Sequence, residues 1–177
     1  MAEIIIRRVT PGDAATVRAL RLEALATAPL AFGSTLAEVR ARPVEFWTEQ
    51  IAKNSTGDEV SQFVAVSDGR LLGSVIGSAE GELTFIYGVY IRPEARGLGL
   101  LDRLTEAVAA WSVEHGRTEL RLDVGTHNQP AVNAYRRLGF TETGHTAPYE
   151  HGEGLTEMEM SKVLCANESG ALVLGSD

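Results

Sequence analysis

Between two apolar runs the chain places Arg96-Gly97-Leu98-Gly99-Leu100-Leu101, a short basic, glycine-containing turn with an amphipathic stretch behind it. Where a helix begins, its first backbone N–H groups lack intrahelical partners, and the helix dipole adds positive potential there. Glycine lets such a backbone come close to a bulky anion. The turn can therefore seat a phosphate on its amides, with Arg96 adding charge. A helix cap that holds no ligand is the competing reading. The spacing is not that of a P-loop, since no Gly-Lys-Ser/Thr follows, nor that of a dinucleotide-binding Gly-x-Gly-x-x-Gly. Metal chemistry has little to work with. His115, His127, His145 and His151 show no ligand spacing such as His-Glu-x-x-His, so no metal site is expected. Cys165 is the single cysteine, which excludes an internal disulfide, argues against a cysteine-based metal site and points to a cytoplasmic location.

The elements that must position the turn can be read from periodicity. Residues 11–26 repeat Ala14, Val17, Leu20 and Leu25 at helical spacing, with Pro11 near the first helical position and Thr10 as a cap. A second helix is expected over 43–53, with bulk from Phe46 and Trp47, followed by a loop over 54–58. Strand-like runs at 62–66, 71–79 and 83–91 are joined by the Asp68-Gly69 hairpin signal and a turn at 80–82, giving three antiparallel strands in series. Pro93 stops the third strand. A helix over 100–115 then presents Leu101, Leu104, Val108 and Trp111 on one face and ends at Gly116. Leu120, Leu122 and Val124 alternate with Arg121 and Asp123 as a strand. A helix over 128–138, stopped by Gly139, and strands over 140–146 and 157–164 follow.

With 44% hydrophobic and 23% charged residues over 177 positions, the chain has the balance of one soluble domain able to bury a core. No apolar run approaches the roughly 20 residues needed to span a bilayer. Its start, Met1-Ala2-Glu3-Ile4-Ile5-Ile6-Arg7-Arg8, reads as a first strand rather than a secretory signal. Sixteen Lys and Arg against 24 Asp and Glu give a formal charge of −8, which would repel phosphate backbones and suits a cationic or amine partner better than a nucleic acid. One domain is expected over 1–164, with a mobile tail at 165–177. Pairing of two copies is open, and the apolar Ala171-Leu172-Val173-Leu174 is a candidate contributor to a homodimer.

Two motifs then converge on one family. Val89-Tyr90-Ile91-Arg92-Pro93-Glu94-Ala95-Arg96-Gly97-Leu98-Gly99 resembles motif A of the GCN5-related N-acetyltransferases (GNAT), in which a strand leads into Arg/Gln-x-x-Gly-x-Gly/Ala and a long helix. Arg96 and Gly99 match, whereas Leu101 stands where Gly or Ala is expected and limits how closely a pyrophosphate approaches the end of the turn. Asn128, Ala131, Tyr135, Gly139 and Phe140 fall in register with motif B of the same family. Two motifs in order are far more specific than either alone. The resemblance runs from the first strand to about Leu164. It implies an α/β fold built on a mixed, mostly antiparallel sheet of about seven strands, splayed at the cofactor site and flanked by about four helices.

The resemblance further implies acetyl-CoA as cosubstrate and direct transfer of an acetyl group to a primary amine, on a small molecule or a protein N-terminus. Pantetheine would pair with Val89, Tyr90 and Ile91, the pyrophosphate would rest on the amides of Arg96, Gly97, Leu98, Gly99, Leu100 and Leu101, and Asn128, Ala131 and Tyr135 would complete the cofactor site. Gly88, beside these, reads either as a bulge at a close approach or as a weak point in the strand. Tyr135 matches the tyrosine that supplies the leaving thiolate with a proton; packing on the sheet is the alternative. Asp123, 12 residues before Tyr135, is the candidate base, acting through a water, or else an ion-pair partner at a strand end. Glu82 is the reserve base. Phe32 and Tyr87, with Glu82, are the candidate acceptor contacts, and the loop holding Tyr149, Glu150, His151 and Glu153 is expected beside them. A non-catalytic acetyl-CoA-binding sensory module is the alternative function; it would need the turn but no tyrosine.

Overall fold

Seven strands assemble into one sheet in the computed structural model, which describes residues 2–165. They are β1 (Ile5–Arg8), β2 (Val60–Ser67), β3 (Arg70–Glu80), β4 (Leu83–Ile91), β5 (Glu119–Gly125), β6 (Thr141–Pro148) and β7 (Thr156–Val163). The spatial order is β1-β2-β3-β4-β5-β7-β6. Every neighbouring pair is antiparallel except β4 and β5. This is the mixed, mostly antiparallel sheet that the motifs imply. The tail beyond residue 165, with the apolar run at 171–174, lies outside the described residues.

Alternation along the strands sends apolar side chains to both faces, and a separate layer of helices covers each. On one face, α1 (Ala14–Thr27), α2 (Leu36–Ala41) and α3 (Val44–Asn54) bury Val17, Leu20, Val39, Trp47 and Ile51 against Val64, Leu71 and Tyr90 of the sheet. On the other, α4 (Leu100–Glu114) and α5 (Gln129–Arg137) bury Leu100, Leu104, Val108 and Val132 against Ala65, Val75, Ile86, Leu122 and Met160. Val64 and Ala65, adjacent on β2, thus belong to different cores. Leu104 is fully buried; truncating it to Ala would cost about 2–5 kcal/mol by leaving a cavity.

Five α-helices are present among the described residues, one more than expected. The additional one, α2, is six residues long, too short for its periodicity to register. Its signal is a capping box instead: Thr35 N donates to Glu38 Oε2 at 2.8 Å, and Glu38 N donates to Thr35 Oγ1 at 3.3 Å. The first helix also departs slightly from expectation. Pro11–Asp13 forms a 3₁₀ turn capped by Thr10 before α1 begins.

Two irregularities in β4 shape everything that follows. First, β4 pairs with β5 only from Leu83 to Ile86, opposite Glu119 to Leu122. Beyond that point the two parallel strands diverge, and the last residues of β5 pair with β7 alone. Second, the register between β3 and β4 slips by one residue, because Ile76 faces Tyr87 while Ser74 faces Tyr90. Gly88 sits in this bulge with φ of 62°, a left-handed conformation that other residues adopt at a cost. The extra residue inverts the alternation. Ile86 packs into the α4 core while Tyr90, four residues on, packs into the α1 core. In an unbroken strand the two would share a face.

Candidate active site

The fork between β4 and β5 opens into a cleft of about 1120 Å³ that reaches from the turn before α4 to the loops beyond α1 and β6. Val89, Tyr90 and Ile91 line it. Arg92 N donates to Leu72 O at 2.9 Å, so Arg92 faces β3 with its backbone. By alternation, Val89 and Ile91 turn their N–H and C=O groups into the open fork. Ile91 O receives Arg96 Nε at 3.3 Å, which draws the arginine back over the end of the strand.

The turn itself is built to present donors. Gly97 and Gly99 adopt φ of 77° and 70°, and nothing lies within 4 Å of where a Cβ would be at either. Among the described residues, no backbone N–H from Gly97 to Asp102 reaches a backbone acceptor; the ladder of α4 starts with Arg103 N donating to Gly99 O. A run of unpaired amides at the positive end of a 15-residue helix fits a pyrophosphate. Arg96, Gly97, Gly99, Leu100 and Leu101 line the cleft; Leu98 is exposed and does not. Across from the turn, Asn128 Oδ1 caps α5 by accepting from Ala131 N at 3.3 Å, and both residues line the cleft. The cleft therefore has the amides and the open strand edge that suit an acyl-CoA thioester.

Tyr135 projects from α5 into this cleft, stacked edge-on against Phe140 with ring centroids 5.7 Å apart. Burial pushes its phenol up to about 12. So held, it is protonated near neutral pH and has a proton to donate.

Asp123 lies one residue past the last β4–β5 pair, level with Tyr87. Both side chains project to the face covered by α1, opposite the buried pair Ile86 and Leu122. Asp123 makes no salt bridge among the described residues. Its carboxyl is pushed up by desolvation and then by Glu159, its cross-strand partner on β7, with a smaller push from Glu80 and an opposing pull from His145. Glu157, also lining the cleft, is raised by burial and by Asp123.

Glu82 is elsewhere. It sits in the turn at the closed end of β4, where its carbonyl accepts Thr118 N at 3.0 Å, and it does not line the cleft. The structure does not bring Glu82 to the fork with Asp123 and Tyr87.

The end of the cleft away from the turn, where the acceptor is expected, is made from distant segments. Phe32 is buried under the Arg21 guanidinium at 4.5 Å and meets Tyr90 edge-on, with centroids 6.5 Å apart. Side chains from the far loops hold the main chain of this segment. His151 Nε2 donates to Gly33 O at 2.7 Å, His127 Nε2 to Leu30 O at 3.2 Å, and Tyr149 hydroxyl spans the Leu30 and Phe32 carbonyls. Sequence reasoning placed Phe32, Tyr87 and the Tyr149 loop at this end but passed over Arg21, His127 and Glu157. Arg21 reads as one charge on an amphipathic helix, and no local pattern distinguishes it.

A forked sheet beside a turn of unpaired amides is the architecture of an acyl-CoA-handling domain, and comparison with known proteins agrees. Residues 25–140 match the family described as "Acetyltransferase (GNAT) family". Over 158 residues the chain is 32% identical to the mycothiol acetyltransferase of Cellulomonas flavigena, covering 82% of this chain but 43% of that protein. It is 30% identical over 148 residues to an aminoglycoside N(6')-acetyltransferase type 1 of Stenotrophomonas maltophilia, covering 78% of this chain and 86% of that one. A GNAT-family acetyltransferase from Streptococcus pneumoniae superposes with a TM-score of 0.78 at 24% identity, covering 92% of this chain and all of that one. The chain belongs to the GNAT acetyltransferase family.

Proposed function

We propose that the protein moves an acetyl group from acetyl-CoA directly to a primary amine. The observation that carries this reading is the juxtaposition of three things in one cleft: unpaired turn amides, an open strand edge and the protonated phenol of Tyr135. When bound, acetyl-CoA supplies the activated thioester. The chain's own residues do the rest. The amides from Gly97 to Asp102, with Arg96 nearby, hold the pyrophosphate, and Val89 and Ile91 offer ladder-like hydrogen bonds to the pantetheine amides. Asp123, or a water it holds, takes the proton of the incoming ammonium, because only a neutral amine attacks. Tyr135 keeps a proton facing the fork, where a departing thiolate needs one. A purely cofactor-sensing module would need the turn and the fork but would have no use for a phenol aimed at them.

The test is release of free thiol from acetyl-CoA in the presence of amines, with calorimetric binding of acetyl-CoA measured on the same preparation. Thiol release that depends on an amine supports the reading. Protein that fails to bind acetyl-CoA at all would refute it.

A further inference from the structure

A second, smaller cavity of about 100 Å³ lies between α1, α3 and the bulged part of the sheet, lined by Leu20, Ala24, Ile51 and Ile76. It shares Arg21, Tyr87, Gly88 and Tyr90 with the acceptor end of the cleft. Two of the residues around it carry a buried donor with no hydrogen-bond partner: Arg21 through Nη1 and Trp47 through Nε1. Both groups donate and neither accepts, so both lack an oxygen. Buried donors rarely go unpaired in folded proteins, and an orphaned guanidinium is the more costly kind.

Among the described residues, no acid serves Arg21. Glu23, the nearest acid along the same helix, spends one carboxylate oxygen on Arg92 at 2.5 Å and the other on the Tyr90 hydroxyl at 3.2 Å. Arg21 forms no salt bridge among the described residues. The charges that reach it are another cation, Arg42, and the phenol of Tyr87. Desolvation, with Arg42, already pulls its guanidinium below the ordinary value. The opposite side of the fork carries the reverse charge: Asp123 and Glu157 line the same cleft. Tyr87 stands between the two, since it adjoins Arg21 and lies level with Asp123 across the fork.

We infer that the acceptor is an amine that also carries a carboxylate a few atoms away, an amino acid or a close analogue, whose carboxylate pairs with Arg21 while its amine faces Asp123. The apolar lining beside Arg21 takes a small side chain, and Trp47 Nε1 adds a donor to an oxygen at its inner end. This deepens the proposed acetyl transfer and rests on it. It also separates this chain from enzymes of polycationic acceptors, for which an unpaired arginine at the acceptor site would be repulsive.

The experiment compares L-amino acids with their C-terminal amides as acceptors, using thiol release, in the wild-type protein and in Arg21→Gln. The amide keeps the amine and side chain and removes only the anionic partner. The expected result is kcat/KM about 30-fold higher for the acid than for the amide in wild type. That preference should collapse to within about threefold in Arg21→Gln, through KM rather than kcat. Equal use of acid and amide overturns the inference and leaves acetyl transfer standing. So does a preference that survives Arg21→Gln, or turnover of polyamines or aminoglycosides with none of amino acids. Should no acceptor turn over, calorimetric titration of the same amino acids into the CoA-loaded protein decides. Heat with acids and not with amides supports the inference, and no heat with either overturns it. Failure to bind acetyl-CoA removes both readings together.

Discussion

The wall of the cleft at the turn offers backbone, while the wall at the acceptor end offers side chains. From Gly97 to Asp102 the donors are consecutive amides of one segment, held open by two left-handed glycines and the start of α4. At the other end, Arg21 comes from α1, Phe32 from the loop after it, Tyr87 from β4, Asp123 from β5 and Glu157 from β7. The first wall is specified by a handful of adjacent residues and would serve any acyl-CoA. The second is specified by the packing of five separate segments, so its chemistry can change without disturbing the first.

That contrast can be broken at several points. Tyr135→Phe should have the largest effect, lowering kcat about 1000-fold while leaving acetyl-CoA affinity within about twofold, measured by thiol release and calorimetry. Were affinity to fall with kcat, Tyr135 would belong to the packing of α5 and not to proton transfer. Asp123→Asn should lower kcat about 100-fold and abolish the limb of the pH profile on which turnover rises as a carboxyl loses its proton. Because Glu159 helps to hold the Asp123 proton on, Glu159→Gln should move that limb to lower pH. A limb that stays in place would show that another group is being titrated. Gly99→Ala tests the backbone wall alone. Forcing a side chain into the left-handed conformation should weaken acetyl-CoA binding about tenfold and leave acceptor preference unchanged.

The smallest effect lies outside both walls. Asp13 accepts a two-pronged hydrogen bond from Arg7 at 2.7 and 2.9 Å and a further one from Thr10 N at 2.7 Å, and Arg7 above all lowers its carboxyl to about 2. Such a group adds stability above its unfolded value near 3.8, and that stability is lost as pH falls toward 2. Asp13→Asn should therefore cost roughly 1–2 kcal/mol at neutral pH in urea unfolding, after allowance for solvent screening. The difference from wild type should narrow as pH falls below about 3.8 and close near pH 2, with catalysis at neutral pH untouched.

The same contrast explains what could be read from the sequence. The meander of three strands, the turn before α4 and the helix α5 were legible because each is written in neighbouring residues: Asp68-Gly69, Arg96-Gly97-Leu98-Gly99, Asn128 to Phe140. Tyr87 and Asp123 were singled out by their place relative to the motifs, and the structure sets them level at the fork. Arg21 and Glu157 were not found, because nothing near them in the chain says that one loses its counter-ion to Arg92 or that the other approaches Asp123 across the sheet. Glu82 shows the converse. It is close to the fork in sequence, yet β4 carries it to the closed end of the strand pair. The short α2 was written too, in Thr35 and Glu38, but as a cap rather than as a period.

The hold of Tyr149, His127 and His151 on the Leu30, Phe32 and Gly33 carbonyls has a use for redesign. The loop is gripped by its main chain, so the grip does not depend on which side chains the loop carries. Leu30, Ala31 and Ser34, which line the acceptor end of the cleft, can be randomised as a cassette while the three gripping residues are kept. A library built in this way would vary which amine is admitted on a rim of constant shape, and it would leave the turn before α4, proposed to hold the acyl donor, out of the selection.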